Sequence, residues 1–169
     1  MSAATAPVDQ RVERAWNALA AVEDPEIPGL HLVDLGIIRF IHAQLDGTLL
    51  VGLSPTYTGC PATDVIRSSV ADALASAGIA DVMITEVLSP AWTSDWITAE
   101  GRRQLASVGI VPPARATTLR DLMHESRPIA CPRCMSLDTE TVSEFGSTPC
   151  KALHRCRACL EPFEYFKCI

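Results

Sequence analysis

Apolar positions early in the chain recur at helical spacing. Val12, Trp16 and Leu19 fall on one stripe between about Val8 and Ala21, which predicts an amphipathic helix. "EDPEIPG" ends it, because its two prolines exclude a continuing helix. "LGIIRFI" and "TLLVGL" then read as strands, joined through "HAQLDG", whose Asp46-Gly47 is a hairpin signal. The loop "SPTYTGCP" leads into a second helix from about Pro61 to Ala77, with Ile66, Val70, Ala73 and Ala77 on one face and Gly78 at its end. "DVMITEVL" is a third strand, "SPAWTSDW" a loop, and "WITAEGRRQLASV" a short helix weakened by its glycine. The order α-β-β-α-β-α predicts an α+β fold, a small mixed sheet covered by helices on one side.

Periodicity then fails. "VPPARATTLRDLMHESRP", residues 111–128, is punctuated by prolines and reads as a linker, within which "ATTLRDLMHE" could form a helical turn. The expected organisation is an α+β domain over 1–110, the linker over 111–128, and a cysteine-rich tail over 129–169. A chain of 169 residues suits one domain with an appendage. No apolar run reaches the roughly 20 residues of a membrane span, and the N-terminus lacks a basic start followed by an apolar stretch. A cytoplasmic protein is therefore expected, where paired cysteines serve as metal ligands more often than as disulfides.

The net charge is −6. Between Arg133 and Lys167 the basic residues (Arg133, Lys151, Arg155, Arg157, Lys167) balance the acidic ones (Asp138, Glu140, Glu144, Glu161, Glu164), so the body carries the excess. That disfavours a nucleic-acid partner, which calls for a basic face, despite the small cluster "HRCRAC". The sequence shows no Gly-rich phosphate loop, no His–Glu metal motif and no persuasive triad, so an independent catalytic role is not expected.

Six of the seven cysteines lie in the tail. Cys131-x-x-Cys134 and Cys156-x-x-Cys159 each place two thiolates on one turn, and two facing turns make a tetrahedral four-sulfur site suited to structural zinc. A tail of about forty residues cannot bury enough surface alone, so the metal would supply the missing stabilisation. An iron–sulfur cluster on the same thiols is the alternative. Cys150 and Cys168 are surplus, Cys150 could replace a ligand, and His154 is read as a non-ligand. Phe163, Tyr165 and Phe166 are expected to form a small core over the ribbon.

Cys60 stands alone upstream. Pro61 follows it and suits the first helical position, which makes Cys60 the expected N-cap, its sulfur near unpaired N–H groups that favour a thiolate. Gly59 would allow a sharp turn, and Thr56 and Thr58 offer hydroxyls. A nucleophile or ligand at Cys60, and a packed buried thiol, are both compatible with this stretch. Asp24 and Glu26 flank Pro25 and read either as ordinary loop carboxylates or as partners of Cys60 in a shallow site. His31 and His42 are assigned no role; Trp16, Trp92 and Trp96 are placed in the core, with Trp92 the candidate for an exposed aromatic.

"DPEIPGLHLVDLGII" followed by "SPTYTGCP" resembles the iron–sulfur-assembly domain family of the SufT type. The tail "SEFGSTPCKALHRCRACLEPFEYFKC" resembles a family of phenylacetate-degradation proteins, accessory components of the phenylacetyl-CoA epoxidase system. Together the two stretches span most of the chain. The family motif falls on Asp24, Pro25, Glu26, Leu35, Gly36, Pro55, Thr56, Gly59, Cys60 and Pro61. The resemblance implies an α+β fold and a non-catalytic role beside a multicomponent di-iron oxygenase. It implies maturing or inserting the iron or iron–sulfur centre of the oxygenase and reductase subunits, its partners. Cys60, Asp24, Glu26 and Thr56 would then form a transient site for iron or a cluster, with zinc held by Cys131, Cys134, Cys156 and Cys159. A purely structural zinc-containing adaptor is the alternative, and homo-oligomerisation stays open.

Overall fold

The computed structural model describes residues 8–114 and 129–167, in two units, Met1–Trp92 and Thr93–Ile169. The segment 115–128, with the expected helical turn, and Cys168 lie outside the described residues.

In the first unit, α1 (Val8–Leu19) turns Ala15 and Leu19 fully inward, as the 3.6-residue stripe requires. Its polar face is used as well. Arg11 donates to the Gly47 carbonyl of the hairpin turn, and Arg14 donates to the Ala77 carbonyl, placing a cation at the C-terminal end of a helix. The Asp-Pro-Glu turn then leads into α2 (Leu32–Leu35), a single turn that Gly36 ends in the left-handed region at φ 79°. Its last residue, Leu35, is the first residue of the stretch that the sequence pattern assigns to a strand. Leu32 and Leu35, three apart, are both buried, and a helical turn puts them on one face.

Strand β1 (Ile38–Ala43) runs antiparallel to β2 (Leu49–Leu53), with the Asp46 carboxylate accepting from the Thr48 N–H in the expected hairpin. Strand β3 (Val82–Glu86) lies parallel to β2, which requires a crossover, and α3 (Thr63–Ser76) supplies it. The order β1-β2-β3 is the small mixed sheet that the pattern predicts, and α1 and α3 pack on it. Ile66, Val70 and Leu74 of α3 are buried with Leu49, Val51 and Leu53 of β2, each large side chain contributing about 1.5–3 kcal/mol. Gly52 has no substitute here, because a Cβ would sit 2.5 Å from the Phe40 ring, itself stacked on His42 at 4.7 Å. Trp92 is buried rather than exposed: its ring fills core space and its indole N–H donates to the Leu35 carbonyl at 3.1 Å.

In the second unit, a 3-10 turn at Ser94–Trp96 precedes α4 (Ala99–Ser107), which the Thr98 hydroxyl caps on the Gly101 N–H. Strand β4 (Ile110–Val111) lies parallel to β7 (Pro162–Phe166), which pairs antiparallel with β6 (Lys151–Cys156), which pairs with β5 (Thr139–Ser143). Residues 93–110, read with the first domain, and Val111, read as the start of the linker, fall in the second unit of the structure. The reason is a two-residue strand pairing across more than fifty positions, too short to leave a periodic signal.

Phe163 and Phe166 are buried as expected, and Tyr165 is half-buried. His154 is buried against Phe163 and Tyr165, ring centroids 5.7 Å from each, and burial lowers its pKa. The ribbon also holds a buried ion pair, Lys151 Nζ to Glu164 Oε2 at 3.0 Å, whose lysine is almost fully enclosed. Burial works against the charge on Glu164, but the Ser147 N–H and the Lys151 ammonium outweigh it and hold the carboxyl below its ordinary value. Removing one partner leaves a buried charge uncompensated. Glu164→Gln is expected to destabilise the ribbon by about 3 kcal/mol in denaturant titration, whereas Lys151→Met with Glu164→Leu restores most of that. Equal loss in the single and double variants would show that the pair is not what the site needs.

Candidate metal centre

Two backbone turns of the same form build the centre. The Cys131 N–H donates to the Ser136 carbonyl at 2.9 Å, and the Cys156 N–H donates to the Glu161 carbonyl at 2.9 Å. Each turn carries a Cys-x-x-Cys pair and is followed by a residue in the left-handed region, Met135 at φ 60° and Leu160 at φ 63°. Glycine adopts that conformation without strain; a side chain costs about 1–2 kcal/mol.

The four sulfurs lie within 4.8 Å of one another, with Cys131 to Cys159 and Cys134 to Cys156 at 3.6 Å. Four sulfurs at ~2.3 Å from a single ion at tetrahedral angles stand about 3.8 Å apart. The donor set therefore fits one zinc ion. Bridging sulfides in a multi-iron cluster would push thiolates on different irons about 6 Å apart. Cys131 and Cys156 are fully buried and pack with Phe163, Val111, Ile129 and Cys159, so the ligands are themselves part of the ribbon core. In the metal-free state these thiols compete for protons. The Cys159 N–H leads a set of contacts that draw Cys156 down to about 7. Cys159 receives an N–H from Glu161, yet burial and the neighbouring sulfurs outweigh it and push its thiol up. A cation relieves that competition by taking all four as thiolates.

His154 is outside this group, as the sequence reading has it, and the Cys150 sulfur lies 3.0 Å from the Thr148 hydroxyl. Among the described residues, the quartet is the one group of three or more His, Cys, Asp or Glu side chains gathered around a single ion position.

Cys60, Asp24, Glu26 and Thr56 all lie in the first unit, in two loops. Asp24 is buried, and its Oδ1 accepts from the Glu26 N–H at 2.8 Å and the Ile27 N–H at 3.0 Å, which shapes the Asp-Pro-Glu turn. Glu26 is half-buried and Thr56 buried. Cys60 is half-buried, but it is not the helix N-cap. That position belongs to Ala62, and α3 starts at Thr63. Pro61 sits instead inside a turn that the Thr63 N–H closes on the Cys60 carbonyl at 3.1 Å. A proline that suits a helix start equally suits the second place of such a turn. The sequence reading passed over Ser54, whose hydroxyl is buried at the end of β2 without a hydrogen-bond partner; a serine closing an apolar strand was the available signal.

A mixed α/β body joined to a four-thiol ribbon defines a class of two-part protein, and comparison with known proteins agrees. Residues 12–85 match the family described as "Iron-sulfur cluster assembly protein", and residues 115–167 match the "PaaD zinc beta ribbon domain". The chain is 45% identical over 94% of its length to an Escherichia coli protein, the D component of a "Putative 1,2-phenylacetyl-CoA epoxidase", and covers 94% of that protein. It is 33% identical over 49% of its length to the Fe-S protein maturation auxiliary factor YitW of Bacillus subtilis, covering 81% of it. A solved domain of unknown function from Bacillus anthracis superposes with a TM-score of 0.53 over 57% of this chain and 92% of that one; at 23% identity the likeness shows the fold alone. The chain belongs to the PaaD-like proteins, with an N-terminal iron–sulfur-assembly domain and a C-terminal PaaD zinc ribbon.

Cys131→Ser is expected to lose the metal and unfold the ribbon, while Cys150→Ser keeps one ion per chain, both read by metal analysis and circular dichroism. The wild-type ribbon should release its ion as pH falls below about 6, because protons then compete for the thiolates. A metal-loaded Cys131→Ser chain would remove Cys131 from the ligand set.

Proposed function

We propose that this chain is an accessory factor of a phenylacetyl-CoA epoxidase system in aerobic phenylacetate degradation. In this reading it matures or inserts the iron or iron–sulfur centre of the oxygenase and reductase subunits. The observation that carries the reading is the division of its thiols within a chain similar, over almost its full length, to a component of such an epoxidase. Four sulfurs are gathered into one closed site, and a fifth stands half-buried in a separate loop. A closed four-ligand site holds its ion for shape and keeps no open position. A cargo that must be passed on needs few ligands and an accessible one, which is the situation of Cys60. The Fe-S protein maturation factors among its relatives match about half of this chain, and the iron–sulfur-assembly family matches residues 12–85, which contain Cys60; both support placing the transfer chemistry in the first unit. Asp24 shapes the neighbouring Asp-Pro-Glu turn, and Glu26 and Thr56 are the additional oxygen donors of the proposed transient site.

The second reading, a structural adaptor for complex assembly, is favoured by the apolar side chains exposed on the ribbon. Cys60→Ser separates the two. In cells expressing the epoxidase subunits, the variant is expected to stay folded, keep its ribbon zinc and lower the iron content of the co-purified oxygenase or reductase several-fold. Unchanged partner iron, with partner assembly intact, would leave the adaptor as the better description.

A further inference from the structure

One polar group of the first unit is enclosed with no use in the fold. Ser54, directly after β2, is 1% exposed, and its hydroxyl has no hydrogen-bond partner among the described residues. Burying a hydroxyl unpaired costs stability, which an apolar side chain of similar size would not. Pro55 follows, so the adjacent peptide offers no N–H to satisfy it.

The backbone fixes where this hydroxyl stands. The Ser54 N–H donates to the Ile37 carbonyl at 2.8 Å, the Ile37 N–H to the Leu32 carbonyl at 3.0 Å, and the Leu32 N–H to the Val22 carbonyl at 2.9 Å. Ser54 thus roots the loop that carries Thr56 and Cys60 and is tied through backbone hydrogen bonds to the stretch that carries Asp24 and Glu26. It also marks the point where β2 ends and the crossover to its parallel partner β3 begins, the end of a sheet at which α/β folds seat ligands. Burial falls along the loop, from buried Ser54, Pro55 and Thr56 to exposed Thr58 and Gly59 and half-buried Cys60. A Cβ on Gly59 would meet nothing within 4 Å, so the space beside Cys60 is open.

The donor defines the ligand chemistry. A serine hydroxyl keeps its proton at neutral pH, which makes it a poor ligand for iron. The same proton makes it a good donor to a negatively charged sulfur, and hydrogen bonds to sulfur tune iron–sulfur centres. We propose that Ser54 is a further binding residue of the exchangeable site, its hydroxyl donating to an anionic sulfur bound to iron. That sulfur is the Cys60 thiolate or a sulfide of the cargo. The proposal rests on the maturation reading for the identity of the cargo. The hydroxyl is uncompensated in the free chain and gains its partner on loading, so stability is given up for binding.

The zinc-loaded full-length chain, Ser54→Ala and Cys60→Ser are titrated anaerobically with ferrous iron, with and without inorganic sulfide. Bound iron is measured by equilibrium dialysis, beside zinc content and melting temperature. Ser54→Ala is expected to keep one zinc per chain, melt about 2–4 °C higher than wild type, and bind iron about tenfold more weakly. Weaker binding with ferrous iron alone assigns the acceptor to the Cys60 thiolate, and weaker binding only with sulfide present assigns it to the cargo; either supports the proposal. Unchanged iron affinity in Ser54→Ala overturns it, and leaves the maturation reading standing if Cys60→Ser loses its iron. A lower melting temperature in Ser54→Ala overturns it too, because the hydroxyl then has a partner inside the fold. Iron bound equally by Cys60→Ser and wild type, or by neither, overturns both the proposal and the transient site on which it rests.

Discussion

Four sulfurs within 4.8 Å cannot all carry charge without a cation between them, and the second unit is organised around that constraint. Two of the four ligands, Cys131 and Cys156, are also among its most deeply buried residues, packed with Phe163. Coordination and hydrophobic burial therefore act on the same atoms, and losing the ion would remove the ligands' role and the centre of the core together. The remaining order follows from this centre. Strand β6 ends in Cys156, β7 follows the second turn, and β5 follows the first. The Lys151–Glu164 pair fastens β6 to β7 at a distance from the metal.

The same constraint separates two kinds of thiol chemistry in one chain. A quartet closed on a single ion keeps no open position for an incoming ligand, so its ion exchanges slowly. Cys60 carries no such neighbours and is not gathered into any cluster of three or more ligands among the described residues. In the proposed reading, an iron species held there would draw its further ligands from Glu26 and Thr56 and from the cargo or the client. Weak, incomplete coordination is what a transfer step requires. On this view the ribbon supplies fixed shape, and the first unit supplies exchangeable chemistry.

Much of this was legible in the sequence wherever the signal is local. The Cys-x-x-Cys pairs name their own turns, Asp46-Gly47 names its hairpin, and Val12, Trp16 and Leu19 name the apolar stripe of α1, of which Leu19 is fully buried. Non-local pairing left no such trace. The parallel partnership of β4 with β7 joins residues far apart through two positions, and nothing in "GIVPP" announces it. Trp92 sits in a loop-like stretch, which left exposure open beside the core placement; a carbonyl acceptor on Leu35 satisfies the indole N–H and permits its burial. At Cys60 the ambiguity is physical: Pro61 fits both a helix start and a turn, and the structure uses the turn.

Asp24 shows how one residue can satisfy a motif for a reason the motif does not state. A carboxylate before a proline in a loop suggests a ligand, but here its Oδ1 is occupied by two backbone N–H groups, at 2.8 Å and 3.0 Å. Its own N–H donates to the Leu30 carbonyl at 2.7 Å, and Ile27, Leu30 and Leu32 are all buried beyond it. Alanine there would leave buried backbone donors without an acceptor, each costing about 1–3 kcal/mol. Loss of activity in such a variant would therefore report a collapsed turn as readily as a lost iron ligand. Cys60 is the cleaner probe of chemistry in this unit: a serine keeps its size, its backbone is what closes the turn onto Thr63, and only the sulfur is removed.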